Sequence, residues 1–150
     1  MVTLVGTQAD ALDAFKELLE LEDAAIEAYE AAINRLDNAS YKTKMKEFRS
    51  DHERHREEIT ALLKENEVDL PTMPSPKEWL AQGKVVLANL MGDDAILRAM
   101  KSNEIDTNTA YERMNERDDL TPDMQKIAER GLADERRHKR WIDETLEAAD

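Results

Sequence analysis

Residues 51–55 read Asp-His-Glu-Arg-His, and residues 134–138 read Asp-Glu-Arg-Arg-His. The two stretches have the same aspartate, the same second-last arginine and the same final histidine, and an isoleucine follows each final histidine four residues later. Residues 22–29 and 104–111 also agree, because both read Glu, six residues, Tyr. The first half of the chain therefore looks like a diverged copy of the second, which predicts two related hairpins with pseudo-two-fold symmetry.

The repeated stretches lie on segments whose apolar residues recur at three- and four-residue steps, the period of an amphipathic helix. Thr7 and Asp10 resemble a capping box, and Thr121-Pro122 is a strong N-cap and first-turn pair. Gly92 is expected to end one helix before the next begins. We therefore predict all-α structure with helices over about 8–36, 40–66, 93–117 and 121–149.

The connections between these helices differ greatly in length. Short turns near residue 38 and near residue 119 predict antiparallel neighbours within each hairpin. A crossover over residues 67–92 joins the hairpins, and its prolines exclude a helix interior at residues 71–76. A short amphipathic helix over 76–91 is expected to cap the bundle, and the whole chain, 1–150, is expected to form a single domain.

Composition excludes several classes of protein. The 150-residue chain carries a net charge of −13, which argues against general nucleic-acid binding and against an anionic membrane. It has no cysteine, so disulfides and thiolate metal sites are excluded. Without a membrane-spanning apolar run or a signal-like N-terminus, we expect a cytoplasmic location.

The apolar stripes contain ionisable groups that do not belong in a plain helical core. An unpaired buried carboxylate is costly and tends to protonate, so several such groups on all four helices require mutual compensation. A divalent metal ion supplies that compensation. The predicted ligands are Glu22, His52, His55, Glu104, Glu135 and His138.

The spacing of these residues has a physical reason. Glu135 and His138 lie three residues apart, so they occupy one helix face and offer oxygen and nitrogen to the same small volume. Asp51 and Asp134 each lie one turn before a histidine of their own helix, where each could accept the imidazole N–H that does not bind metal. An ordinary surface pair is the alternative for both aspartates. Two further core residues, Tyr29 and Tyr111, could donate to ligand carboxylates or relay an electron, or they could be structural.

With these residues the chain resembles the rubrerythrin and ferritin-like superfamily of di-iron carboxylate proteins. That family uses one glutamate on each of two helices and Glu-x-x-His on each of the other two. Glu22 and Glu104 match the single glutamates, Glu135 and His138 match one Glu-x-x-His, and His55 matches the histidine of the other. The stretch over 134–138 is also similar to a helix motif of bacterial multicomponent monooxygenases. The resemblance implies a ferritin-like four-helix bundle that binds two iron ions.

One position departs from the family pattern. His52 stands where the first hairpin should have a glutamate, and the neighbouring Glu53 would point about 100° away on an ideal helix. One bridging carboxylate is therefore missing. A hydroxide or oxide bridge could restore neutrality for two divalent ions. Alternatively, the site could hold one metal ion instead of two, or manganese or zinc instead of iron, because mixed oxygen and imidazole ligation suits all three.

The resemblance implies an oxidase or peroxide-reducing activity in oxidative stress or iron handling, with electrons from an external donor. Self-association into a homo-oligomer is compatible with it. Two alternatives are a metal-binding module without catalytic turnover and a structural or interaction bundle without metal. The last alternative would require the six polar core groups to satisfy one another.

Overall fold

The computed structural model describes residues 3–72 and 92–149. Within these residues the chain forms four helices: α1 (Ala11–Arg35), α2 (Ala39–Glu65), α3 (Asp93–Asn115) and α4 (Pro122–Ala149). The all-α prediction is confirmed. The short helix predicted over 76–91 lies outside the described residues.

Side-chain caps fix the helix starts. The Asp10 carboxylate accepts the backbone N–H of Leu12, so α1 begins at Ala11 and not near residue 8. The Thr7 hydroxyl instead donates to the Leu4 carbonyl oxygen, so Thr7 does not take part in a capping box. Thr121 caps α4 as expected, since its hydroxyl oxygen accepts the backbone N–H of Met124 at 3.3 Å.

The helices form two antiparallel hairpins, α1–α2 and α3–α4, and α1 also packs on α3 while α2 packs on α4. The end of α1 meets the start of α3, because the Asp93 carboxylate accepts the backbone N–H groups of Asp37 and Asn38. At the opposite end, Arg113 on α3 donates to the Thr3 carbonyl oxygen ahead of α1. Since α1 runs antiparallel to both α2 and α3, the last two run in the same direction. The end of α2 and the start of α3 therefore lie at opposite ends of the bundle.

The apolar core is divided into two clusters along the bundle axis. One surrounds the start of α1 and contains Phe15, Leu18, Ile59, Leu63, Tyr111 and Met114 among its buried members. The other surrounds the end of α1 and contains Tyr29, Met45, Phe48, Leu97, Met100 and Ile142. The six predicted ligands lie at the level where these clusters meet, so apolar packing shields them from both ends.

The buried face of α1 is rich in alanine. Ala25, Ala28 and Ala32 are buried, whereas Ile26 and Ile33 are only half-buried. Small side chains bring helix backbones close together, and this tertiary preference is not visible in hydrophobic periodicity. No helix in the part of the chain that the structure describes is both long enough and apolar enough to cross a bilayer.

Candidate metal centre

The fold brings all six predicted ligands together between the helices. Glu22 comes from α1, His52 and His55 from α2, Glu104 from α3, and Glu135 and His138 from α4. None is more than 2% exposed. A cluster of three glutamates and three histidines in a dry core is expensive unless opposite charges compensate one another.

The ligand atoms fall into two overlapping sets, each compact enough to hold one metal ion. The first set is Glu22, His52, His55 and Glu135, and the second is His52, Glu104, Glu135 and His138. Within each set the ligand atoms lie within 4.8 Å of one another. His52 and Glu135 belong to both sets, so the two sets adjoin at these residues.

In the first set, the His55 imidazole faces the carboxylates with its Nδ1 atom. This atom lies 3.3 Å from Glu22 Oε1 and 3.5 Å from Glu135 Oε1. Nδ1 of His52 lies 2.6 Å from Glu22 Oε2, and because an ionised carboxylate only accepts, the imidazole donates this hydrogen bond.

In the second set, the His138 imidazole presents the same nitrogen. Its Nδ1 atom lies 3.5 Å from Glu104 Oε1 and 3.6 Å from Glu135 Oε2. The other ring nitrogen of His52, Nε2, lies 3.5 Å from Glu104 Oε1. The two sets are therefore similar in composition, with one glutamate and one Nδ1-facing histidine of their own.

The aspartates hold the outer nitrogens of these histidines, but across the hairpins. Nε2 of His138 donates to Asp51 Oδ2 at 2.8 Å, and Nε2 of His55 donates to Asp134 Oδ2 at 2.8 Å. The prediction that each aspartate pairs with the histidine of its own helix is wrong. Each imidazole points towards the facing helix and binds the aspartate there. The crossed bonds leave Nδ1 of each ring towards the centre.

Two arginines, to which the sequence analysis gave no role, also bind Asp51 and Asp134 between α2 and α4. We call these two aspartates and two arginines the arginine seam. Arg54 donates to Asp134 Oδ2 at 2.5 Å and to Asp51 Oδ1 at 3.3 Å. Arg137 donates to Asp51 Oδ2 at 2.6 Å and to Asp134 Oδ1 at 3.1 Å. Both arginines repeat at the same place in the two motifs, and this repetition is the signal that could have identified them.

The tyrosines are crossed in the same way. The Tyr29 hydroxyl on α1 donates to Glu104 on α3, and the Tyr111 hydroxyl on α3 donates to Glu22 Oε1 on α1 at 2.8 Å. Burial, followed by the charge of the accepting glutamate, raises the pKa of both tyrosines well above 10. Both hydroxyls therefore keep their protons and remain donors to the ligand carboxylates.

Sequence reasoning gave no role to the residues that hold Glu135. The Thr107 hydroxyl donates to Glu135 Oε2 at 2.8 Å, and the Asn108 amide donates to the Glu135 carbonyl oxygen at 3.1 Å and to the Glu104 carbonyl oxygen at 2.7 Å. Both residues are buried. These bonds tie the α4 carboxylate to α3, so Glu135 is fixed at two points.

The three carboxylates of the centre differ in the direction of their pKa shifts: two pKa values are lowered and one is raised. Burial alone would raise the pKa of Glu22, but the charges of His52 and His55 outweigh it and lower this pKa to about 2. Burial also opposes ionisation of Glu104, yet hydrogen bonding to His138 and His52 holds its pKa below the usual range. For Glu135, burial and the charge of Glu104 act together and raise the pKa to about 7.

The imidazoles are shifted towards the charged form. Burial lowers the pKa of His55, but Glu22 and Asp134 raise it to about 9. Burial likewise opposes charge on His138, while Asp51 leads the groups that raise its pKa to about 10. The pKa of His52 also lies well above its ordinary value, because Glu135 and Glu22 outweigh burial. Protons on the imidazoles thus balance the carboxylates when no cation is bound, and a cation can replace them.

A second observation, which does not depend on the chemical type of the ligands, also fits a bound metal ion. Buried side-chain atoms without a hydrogen-bond partner are costly. Within residues 3–72 and 92–149, three of the few such atoms lie in this centre: His52 Nε2, Glu135 Oε1 and His138 Nδ1. Each is an atom that can give a lone pair to a metal ion, so the buried histidine–glutamate cluster can hold one.

Comparison with solved structures agrees with the fold. The chain is similar to a dodecameric thioferritin, the bacterioferritin-related protein from Bacteroides fragilis, with a TM-score of 0.79 and 20% identity over 93% of this chain and 85% of that one. It is also similar to a conserved hypothetical protein, rv2844, from Mycobacterium tuberculosis, with a TM-score of 0.77 and 18% identity over 93% of this chain and 99% of that one. No protein-family model and no curated protein matches the chain. The chain has a ferritin-like four-helix fold.

Proposed function

We propose that this protein binds two divalent cations, with iron as the resident metal, and uses them in an oxidase or peroxide-reducing reaction. The observation that carries the proposal is the pair of overlapping ligand sets at the buried centre. The ferritin-like fold supports iron, since carboxylate and imidazole donors in a bundle core suit a redox-active di-iron pair.

Each cation would have its own glutamate and histidine. Glu22 and His55 would hold one ion, and Glu104 and His138 would hold the other. Glu135 presents Oε1 to the first set and Oε2 to the second, so it would serve both. Asp51 and Asp134 fix the rings of the two histidines from outside.

Bound iron would supply one-electron transfers to peroxide or dioxygen. The chain's own part is to orient the ligands, exclude water and hold protons. The Tyr29 and Tyr111 hydroxyls keep their protons next to Glu104 and Glu22. The two apolar clusters close the centre from both ends, which strengthens every charge interaction inside it.

The proposal is tested by anaerobic iron(II) titration of metal-free protein, followed by stoichiometric hydrogen peroxide. We expect two irons per chain and rapid peroxide-dependent oxidation, both lost in His138→Ala and Glu135→Ala. Glu53→Gln is the matched control, because Glu53 is an exposed neighbour on α2 that pairs with Arg49. Iron oxidation that is unchanged in His138→Ala would refute the role of the centre.

A second candidate is metal binding without turnover, and His52 is the observation that favours it. With an imidazole in place of a carboxylate, the six ligands carry three carboxylates for two divalent ions, which disfavours the higher charge of iron(III). A single oxidation without repeated turnover, together with zinc or manganese in the purified protein, would support this alternative.

Two further parts of the proposal concern partners. Repeated turnover needs an external electron donor, which we expect to be detected as a dependence of peroxide consumption on an added reductase or reductant. The thioferritin that the fold resembles is a dodecamer, and we extend self-association to this chain. Light scattering of the purified protein would test it, and a monomer at micromolar concentration would contradict it.

A further inference from the structure

His52 differs from the other ligands because both of its ring nitrogens face carboxylates of the centre. Nδ1 lies 2.6 Å from Glu22 Oε2 and 3.4 Å from Glu135 Oε1. Nε2 lies 3.5 Å from Glu104 Oε1 and has no hydrogen-bond partner. In contrast, His55 and His138 each commit Nε2 to an aspartate outside the centre.

His52 occupies the same position in the first hairpin that Glu135 occupies in the second. His52 aligns with Glu135 in the repeated motifs, and these two residues are the members that both ligand sets contain. Glu135 reaches both sets through its two carboxylate oxygens. His52 reaches both through its two nitrogens, which lie on opposite sides of a rigid ring.

We propose that His52 bridges the two cation positions. Nδ1 would bind the ion held by Glu22 and His55, and Nε2 would bind the ion held by Glu104 and His138. This inference rests on the metal binding proposed above and specifies its donor set: one carboxylate bridge and one imidazole bridge.

The bridge resolves the charge deficit left by the missing carboxylate. When both ring nitrogens give their lone pairs to cations, both ring N–H protons leave to solvent and the ring carries one negative charge. Three glutamates and one anionic imidazole then match two divalent ions. The adjacent Glu53 does not supply the missing anion, because its side chain is about half exposed and pairs with Arg49 on the surface.

The bridge also changes metal preference. Imidazole donors suit zinc, copper and nickel as well as iron, whereas carboxylate donors suit manganese and magnesium. A centre in which four ring nitrogens face the cations should therefore favour zinc(II) over manganese(II) more strongly than one with a second bridging glutamate. His52→Glu gives the first motif the Glu-x-x-His spacing of the second.

The test uses zinc(II), manganese(II) and copper(II) as probes on the full chain. Zinc(II) titration followed by native mass spectrometry should show two ions on the wild-type protein. In His52→Ala the second ion should bind about 100-fold more weakly, because losing a ligand costs at least as much as losing the group that orients one. His52→Glu should again bind two ions, with its preference shifted towards manganese(II). Glu53→Gln should match the wild type.

Copper(II) provides a readout that a merely structural role would not change. Two copper(II) ions bridged by one imidazole are magnetically coupled, so the wild-type electron paramagnetic resonance spectrum should differ from that of isolated ions. His52→Gln keeps only the Glu135 bridge, so its magnetic coupling should differ clearly in strength from that of the wild type. Coupling of unchanged strength in His52→Gln, or equal affinity for the second zinc(II) in His52→Ala, would overturn the bridge.

The outcomes separate this inference from the function it rests on. Two zinc(II) ions on the wild-type chain, with the second bound equally well by His52→Ala, would overturn the bridge while the proposed two-cation site stands. A wild-type chain that binds one ion or none would overturn both. If His52→Ala fails to fold, an unchanged zinc-to-manganese preference in His52→Glu would still refute the bridge.

Discussion

The first hairpin, α1–α2, and the second, α3–α4, bring the same kinds of ligand to the centre but support them differently. In the second hairpin, Thr107 donates to Glu135 and so holds the ligand of the neighbouring helix. The aligned position in the first hairpin is Ala25, which has no hydroxyl, and the aligned ligand is His52. His52 pairs instead with Glu22 of its own hairpin. Symmetry is thus retained at the residues that belong to only one ligand set and is broken at His52 and Glu135, which belong to both.

A second difference lies in the packing beside the tyrosines. Gly131 on α4 lies against Tyr111, and a Cβ atom there would come within 2.1 Å of the Tyr111 ring. The aligned residue in the first hairpin is Phe48. It meets Tyr29 edge-on with ring centroids 6.3 Å apart and stacks on His138 at 4.2 Å. The Phe48 ring therefore packs beside Tyr29, whereas beside Tyr111 the α4 backbone at Gly131 packs directly against the tyrosine ring.

The largest expected effect is a loss of stability when the Phe48 ring is removed. Phe48→Ala removes a fully buried ring between Tyr29 and His138, so we expect unfolding free energy to fall by about 3–5 kcal/mol. Urea denaturation followed by circular dichroism measures it.

Gly131→Ala is the matched change on the other side. Alanine favours a helix interior by about 0.5–1 kcal/mol over glycine, yet the Tyr111 ring must move, so we expect a net loss of about 1–3 kcal/mol. A gain in stability for Gly131→Ala, or a loss below about 1 kcal/mol for Phe48→Ala, would contradict the packing difference.

The tyrosines test the symmetric part of the comparison. Tyr29→Phe and Tyr111→Phe each remove one hydrogen bond to a buried charged carboxylate, so each should destabilise the metal-free protein by about 1.5–3 kcal/mol. The two losses should be similar because the contacts are reciprocal. Thermal and urea denaturation of the single variants and of the double variant measures them. A loss in only one variant would show that the halves are not equivalent here.

The crossed aspartates give an effect on affinity. Asp134→Asn should weaken the zinc(II) ion that His55 binds by about 10- to 100-fold, and Asp51→Asn should weaken the ion that His138 binds by a similar factor. Calorimetry measures affinity, and nitrogen-15 imidazole spectra identify the histidine. In Asp134→Asn the His55 resonances should move more than those of His138. The reverse order would mean that each aspartate serves the histidine of its own helix.

The smallest expected effect lies on the surface, at an ion pair that joins the two hairpins. Glu47 pairs with Arg137 at 3.1 Å, and both side chains are nearly half exposed. Water and salt screen such a pair, so Glu47→Gln should change unfolding free energy by less than about 1 kcal/mol and leave zinc(II) affinity unchanged. A larger change in chemical denaturation would show that this ion pair supports the arginine seam above the histidines.

The sequence predicted much of this arrangement, because helix periodicity, proline and glycine positions and the repeated motif are local signals. It placed Glu22, His55 and His138 among six core residues that the structure does bring together. It could not give the crossed pairing of Asp51 and Asp134, because four-residue spacing suggests partners on one helix and says nothing of how two hairpins face each other.

The supporting residues were harder to find for the same reason. Thr107 is buried on α3, and its bond to Glu135 depends on the register of α3 against α4. Asn108 is buried by the same packing. The alanine-lined face of α1 was also missed, since close helix approach rewards small residues that hydrophobic periodicity undervalues.

The central claim is that the two hairpins together hold two cations at adjoining positions. Crystals of the protein loaded anaerobically with iron(II), measured on both sides of the iron absorption edge, test it most directly. We expect two anomalous peaks per chain between the helices, one beside Glu22 and His55 and the other beside Glu104 and His138. A single peak, or peaks confined to the acidic surface, would contradict the account.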